Sequence, residues 1–242
     1  MNLTNEYGAP DEIVRAIQND SYTKGGADFS ATELIKPPQI RRLWNEHEEE
    51  ISVDVRDEMF KLQGTAVHNY LDRAPKWSRL GVDSCVPCDS CDGTGVIDDG
   101  KIRERRFYAE HNGVTISGAV DLIDGGVVTD YKVTSAYSVK RGLKQDWERQ
   151  LNLYAWLLRQ NDMTATKLNI VCICRDWMKS RAGKSDYPDS PVVVLSVPVW
   201  RDGRQDDYVD QRVRVHTQES TIPCTPEERW ARGAYQVNPT HS

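Results

Sequence analysis

The sequence lacks any run of about 18 apolar residues, so no membrane-spanning helix is expected. Its first stretch, Met1 to Asp20, is polar and acidic and has no apolar h-region; no secretory signal is expected there, and the cytoplasm is the expected compartment. An excess of positive charge is missing too, since 31 Lys and Arg stand against 37 Asp and Glu, a formal net charge of −6. That excludes a protein that coats nucleic acid by charge over its whole surface. A local basic groove remains open, with Arg41 and Arg42, Arg103 to Arg106, and Lys140, Arg141 and Lys144 as its candidates. No internal repeat is visible. What the 242 residues allow is a single domain, 1–242, carrying insertions.

The hydrophobic period divides the chain. Residues 11–19 have weak helical character. Ser30 followed by Glu33 reads as a capping box, opening a short helix that Pro37 and Pro38 end. From Ile40 to Arg73 apolar residues recur at helical spacing, which places Leu43, Trp44, Met59, Leu62, Val67 and Leu71 on inward faces. The helical part spans 30–80. Residues 81–100 are rich in Asp, Ser, Gly and Cys and read as an inserted loop. Between Lys101 and Val133 the period falls to two, with Asn112-Gly113 and Gly125-Gly126 as hairpin turns. Helical spacing returns over Val139 to Gln160. Strands follow over 167–177 and 191–200, then a helix over 204–218 and an irregular tail. The expected fold is α/β: a mixed central sheet flanked by helices, with a helical N-terminal part, a Cys-rich insertion, a catalytic sheet and helix over 101–200, and a C-terminal helix and tail over 201–242.

One hairpin carries the chemistry. With Gly125-Gly126 as a two-residue turn, Asp121 falls directly across from Asp130, about 5 Å away at Cβ. Strand alternation puts Lys132 on the face of Asp130. Two carboxylates facing each other in a sheet repel, and a divalent cation removes that cost; oxygen donors of this kind suit Mg²⁺ or Mn²⁺. A lysine beside them can orient or help deprotonate an attacking water and balance charge on a phosphate. The structural alternative is a solvated surface hairpin, which the apolar flanking strands disfavour.

Asp121…Asp130-Tyr-Lys132 resembles the core of the PD-(D/E)XK nucleases, and its surroundings resemble their RecB-like and lambda-exonuclease-like branch. Gly64-Thr-Ala-Val-His68 is similar to the upstream Gly-x-x-x-His motif, Gly118-x-x-Asp121 to the acidic motif, and Gln150-x-x-x-Tyr154 to a helix motif eighteen residues after Lys132. The resemblance covers about residues 30 to 200, and Cys174-Arg-Asp-Trp177 looks like strand ends of phage-type members. It implies that His68, Asp121, Asp130 and the backbone carbonyl of Tyr131 hold the metal and that Lys132 acts on the water. It further implies that Gln150 organises the site and that Tyr154 supports it or contacts DNA. Glu104 or Glu110 would steady the site from the preceding strand.

Cys85, Cys88 and Cys91 stand at ligand spacing for a soft metal. Cys88-Asp-Ser-Cys91-Asp-Gly-Thr-Gly95 also resembles half of a DnaJ-type zinc module. Structural Zn²⁺ is the favoured reading, with Cys224 as the distant fourth ligand and His111 behind it; an iron–sulfur cluster and unligated thiols are the alternatives. Cys172 and Cys174 alternate in an apolar strand and read as core. The resemblance therefore implies a Mg²⁺- or Mn²⁺-dependent deoxyribonuclease, an exonuclease in phage-type recombination, replication or repair. Its partners would be DNA and a recombination or single-strand-binding protein, and self-association is compatible with it. The competing reading is a non-catalytic nucleic-acid-binding or zinc-stabilised scaffold that keeps the fold.

Overall fold

The computed structural model describes residues 2–19, 23–73, 100–218 and 222–224. Cys85, Cys88 and Cys91 lie outside them, as does the tail beyond Cys224. The N-terminal part contains β1 (Asn2–Thr4), α1 (Asp11–Gln18), β2 (Phe29–Ser30), α2 (Ala31–Ile35), α3 (Pro38–Glu46), β3 (Ser52–Asp54) and α4 (Val55–Arg73). Three antiparallel strands follow: β4 (Ile102–His111), β5 (Val114–Asp124) and β6 (Val127–Thr134). The rest is α5 (Ala136–Lys140), α6 (Gln145–Gln160), β7 (Lys167–Cys174), β8 (Val192–Val197) and α7 (Asp202–Thr217). Among the described residues no helix is long and apolar enough to cross a membrane.

Turn chemistry fixes the register of the sheet. Asn112 and Gly113 have φ of 51° and 78°, and Gly125 and Gly126 have 53° and 84°. Left-handed backbone at both central positions matches the twist of the flanking strands, so each pair closes a two-residue hairpin. His111 therefore faces Val114, and Asp124 faces Val127. β5 lies between β4 on one edge and, on the other, β2 (at Ile116 and Ser117) and β6 (at Leu122 to Asp124). β6 continues into a parallel pairing with β7, and β7 pairs antiparallel with β8. The sheet is thus mixed and carries helices, as expected.

α6 is the buried helix. Trp147 and every residue from Gln150 to Leu158 are buried, and they pack with Ile116, Val120, Val128, Leu168 and Ile170 of the sheet. From the other side Asp206 of α7 accepts from Trp156 Nε1 at 2.9 Å and from Arg159 Nη2 at 2.6 Å. The capping box of α2 is present: Ser30 Oγ accepts from Glu33 N, and Glu33 Oε2 accepts from Ser30 N.

Three sequence expectations need correction. The helical stretch over 40–73 is two helices, broken by a turn at 47–51 and by β3. α3 therefore sets its faces independently of α4, and Leu43 and Trp44, expected inward, are 47% and 45% exposed. The stretch over 139–160 is likewise split, because Gly142 at φ 78° ends α5 in a conformation that no helix continues through. Pro37 and Pro38 do end α2, but Pro38 also opens α3 at its first position, where a missing N–H costs nothing.

Candidate metal centre

Counting outward from the two hairpin turns places three acids in one row across adjacent strands: Glu104 on β4, Asp121 on β5 and Asp130 on β6. The β4–β5 ladder pairs Arg103 with Leu122 and Arg105 with Val120, but skips the Glu104–Asp121 position between them. The β5–β6 ladder stops at Leu122 and Thr129, one step short of Asp121 and Asp130. The acids thus stand opposite one another where ordinary strand pairing lapses, and not as a ladder pair as the sequence suggested. In place of a ladder bond, Asp121 Oδ2 accepts the Tyr131 N–H at 2.7 Å. Glu104 has a φ of 44°, a left-handed conformation that costs a non-glycine residue about 1–3 kcal/mol.

α4 brings His68 to this row. Its Nδ1 donates to Glu104 Oε1 at 3.1 Å and lies 3.6 Å from Asp121 Oδ2, while Nε2 donates to the Tyr131 carbonyl at 3.1 Å. With acceptors on both sides the ring is held as imidazolium. The Glu104 hydrogen bond, working against burial and aided by Asp121, Glu104 and Asp130, raises its pKa to about 9. Asp121 is buried, and burial followed by the charge of Asp130 raises its pKa to about 7.

On β6, Lys132 Nζ lies 2.7 Å from Asp130 Oδ2. Burial opposes the lysine's charge, yet the ion pair with Asp130 prevails and raises its pKa. Asp130 is 1% exposed. The lysine approaches outside hydrogen-bonding geometry, so Oδ2 is buried without a hydrogen-bond donor. Gln150 of α6 donates to the other oxygen, Oδ1, at 3.3 Å and to the Tyr154 hydroxyl at 2.7 Å. A Cβ on Gly118 would meet Leu157 Cδ1 at 2.7 Å and Tyr154 Cε1 at 2.9 Å. The absent side chain is what lets α6 lie close enough to the sheet for Gln150 to reach Asp130, and it gives the Gly-x-x-Asp pattern a physical reason.

The donor set fits a divalent cation. One ligand atom each from His68, Glu104 and Asp121 lies within 4.8 Å of the others. Beside them stand the buried Asp130 carboxylate, whose Oδ2 faces Lys132 Nζ at 2.7 Å, and the carbonyl of Tyr131. A raised pKa on a buried acid next to another acid is the strain a hard cation relieves. Sequence reasoning left Glu104 and Glu110 undecided; the structure brings in Glu104, while Glu110 pairs with Thr115 farther along β4.

The other predicted residues scatter. Cys172 and Cys174 are buried in β7 as expected, and burial raises both thiols, Cys172 to about 11. Cys224 is buried, its backbone N–H on Gln39 Oε1 at 2.7 Å. His111 is taken up by Asp210 Oδ1 at 2.5 Å. Of the basic candidates, Lys140 turns to Asp186 at 3.5 Å, whereas Arg141 and Lys144 line a common cavity. Arg42 pairs with Glu46, Arg41 lies over the Phe29 ring, and Arg106 binds Ser117 Oγ at 3.0 Å.

The mixed sheet thus carries an acidic row able to hold a metal ion, with a strand lysine and a helix glutamine aimed at it. The chain belongs to the PD-(D/E)XK nuclease superfamily, whose family model matches residues 30–185. Its fold is similar to a solved structure described as "Crystal structure of SSO0001", with a TM-score of 0.53 and 17% identity over 84% of this chain and 83% of that one. Among curated proteins no match was found.

Proposed function

We propose that the protein is a Mg²⁺- or Mn²⁺-dependent deoxyribonuclease that degrades DNA from an end. The observation that carries this reading is the convergence of His68, Glu104, Asp121 and Asp130, with Lys132 paired to the last of them. His68, Glu104, Asp121, Asp130 and the Tyr131 carbonyl are the groups that would hold the cation. When bound, such a cation polarises a phosphoryl oxygen and lowers the pKa of water.

The chain's own residues supply the rest. Lys132 offers positive charge and N–H donors to a phosphate under attack. Gln150 holds one carboxylate oxygen of Asp130, and through its second bond fixes the Tyr154 hydroxyl beside the row. Tyr131 is held from both sides of its backbone, by Asp121 at the N–H and by His68 at the carbonyl. That keeps β6 in place while charge builds on the substrate.

Action from an end rests on the resemblance to the RecB-like and lambda-exonuclease-like branch, and the charge balance is compatible with it. At net −6 the chain cannot grip duplex over its whole surface, so contacts concentrate in a groove beside Lys132. A phage-type recombination or replication setting, with a recombination or single-strand-binding partner, rests on the motif resemblance. End-labelled linear DNA and covalently closed circles, incubated with Mg²⁺, Mn²⁺ or EDTA, test the reading. Progressive loss of linear DNA with circles surviving is expected; discrete cuts in closed circles would make it an endonuclease.

A further inference from the structure

One side of α4 leads away from the acidic row. Phe60, Gly64 and His68 follow one another at intervals of four residues, so they form a ridge along the helix at about 6 Å of rise per step. His68 ends the ridge at the row, where it meets Glu104 and the Tyr131 carbonyl. Phe60 ends it beyond the last residues of β6 and β7. There the Arg175 guanidinium lies over the Phe60 ring at 3.9 Å, and the Arg175 N–H donates to the Thr134 carbonyl at 2.9 Å. Thr134 stands two residues after Lys132, about 7 Å along the strand. α4 therefore runs against the direction of β6, and Lys132 falls between the two ends of the ridge.

Two features of this ridge have no reason in folding. Of the chain's three phenylalanines, Phe29 and Phe107 are in the core, whereas Phe60 is 58% exposed. Gly64 sits inside a nineteen-residue helix, where glycine is less stable than alanine because it gives up more backbone freedom. At Gly118 close packing excludes a side chain, but a Cβ at Gly64 would meet nothing within 4 Å. Gly64 thus leaves an open notch between Phe60 and the metal-binding groups. The charge at this end is positive. Arg175 pairs with no carboxylate among the described residues, and the adjoining Asp176 is taken up by the Ala136 N–H at 2.7 Å. Burial, with the like charges of Arg141 and Arg175, holds the Lys144 ammonium below its usual range. Tyr137, next to Ala136, adds a second ring that is 66% exposed.

We infer that the ridge is the path of an unpaired strand: a base stacks on the open face of the Phe60 ring, Arg175 holds the adjoining phosphate, and the backbone passes Gly64 toward the row. An aromatic ring backed by a guanidinium takes any base, because every base has a π-face. In a duplex those faces are covered by neighbouring bases, so the platform selects single-stranded or frayed DNA over blunt duplex. The inference rests on the nuclease reading for where the strand leads; the stacking site stands on the ridge alone.

The test titrates the full chain in EDTA, where no cleavage competes, with a labelled single-stranded oligonucleotide, an abasic strand of the same length and a blunt duplex. Wild type should bind the natural strand at least about fivefold more tightly than the abasic one, the effect of one stacked base. Phe60→Ala should erase that difference, and Phe60→Trp should keep it. Arg175→Gln should lower the salt slope for the single strand by about 0.7. Gly64→Leu, which fills the notch, should melt no lower than wild type and yet bind the single strand severalfold more weakly. In Mn²⁺ the single strand should be lost faster than the blunt duplex. A preference for blunt duplex, or a folded Phe60→Ala that still tells natural from abasic strands, would overturn the path. So would Gly64→Leu binding as wild type does. If DNA is cut in Mn²⁺ while these variants bind as wild type, the path fails and the nuclease reading stands. Binding that depends on Phe60, with no cleavage in Mg²⁺ or Mn²⁺, would keep the stacking site and sink the nuclease reading.

Discussion

Asp121 Oδ2 accepts the backbone N–H of Tyr131 at 2.7 Å, while the carbonyl of the same tyrosine accepts from His68 Nε2 at 3.1 Å. One peptide segment of β6 is thus clamped between an acid of β5 and a histidine of α4. Asparagine at 121 can still accept the Tyr131 N–H, yet it carries no charge against Asp130. Asp121→Asn should therefore raise the melting temperature of the metal-free protein at pH 8 while lowering cleavage by about 10²-fold or more. Calorimetry in EDTA and initial rates in Mn²⁺ check the two halves.

Asp130 behaves differently, because it is the partner of Lys132. Asp130→Ala removes a repulsion with Asp121 but leaves a largely buried ammonium without its carboxylate. The second effect should win, with a loss of about 2–3 kcal/mol in denaturant unfolding. Pairing it with Lys132→Met should recover much of that loss. A single variant as stable as wild type would show that the ion pair contributes nothing.

The metal-free protein should lose stability steadily as pH rises from about 4 to 9. Asp121 has its pKa raised from 3.8 to about 7, so its contribution is complete below 3.8 and is lost across the interval up to 7. His68 is raised from 6.5 to about 9, so its contribution is complete below 6.5 and is lost on the way to 9. Both slopes have the same sign. Saturating Mg²⁺ or Mn²⁺ should flatten the profile, since cation binding favours the deprotonated groups. Thermal melts across this range with EDTA or Mn²⁺ give the comparison.

Glu104 sits in left-handed backbone inside a strand, where glycine would be at ease. Glu104→Gly should match or exceed wild type in metal-free stability and bind Mn²⁺ at least tenfold more weakly. Glu104→Ala, which keeps the strained φ and loses the His68 bond, should be the less stable of the two. The reverse order in chemical denaturation would place no strain at this residue.

Gly118→Ala forces a Cβ into Leu157 and Tyr154. The expected cost is about 1–3 kcal/mol, with a fall in turnover as α6 lifts Gln150 from Asp130. Wild-type turnover in a folded Gly118→Ala would uncouple α6 from the row.

The hairpin was the most legible part of the molecule, because glycine at both positions of a two-residue turn leaves one register. The same arithmetic applied to Asn112-Gly113 singles out Glu104 over Glu110: counting back from His111 and Val114 puts 104 opposite 121. That signal was present in the sequence, and motif resemblance alone did not extract it. What the sequence could not show was the lapse of pairing at the acids, since alternation predicts facing positions and not whether the backbone bonds form. Nor could periodicity separate α3 from α4 or α5 from α6. A turn such as 47–51, or a single left-handed Gly142, interrupts a helix without disturbing the apolar spacing around it. Lys140 and Lys144 looked equivalent as basic residues in one segment, and only the fold turns one to Asp186 and the other to the cavity.

The central claim, that this acidic row holds a divalent cation to cut DNA, is tested most directly by the rate at which labelled linear DNA is lost. Wild type and Asp121→Asn are compared in Mg²⁺, in Mn²⁺ and in EDTA. Wild type should degrade DNA with either cation and not in EDTA, and the variant, folded, should be slower by about 10²-fold or more. Folded wild type that binds Mn²⁺ yet leaves DNA intact, or a variant as active as wild type, would contradict the account.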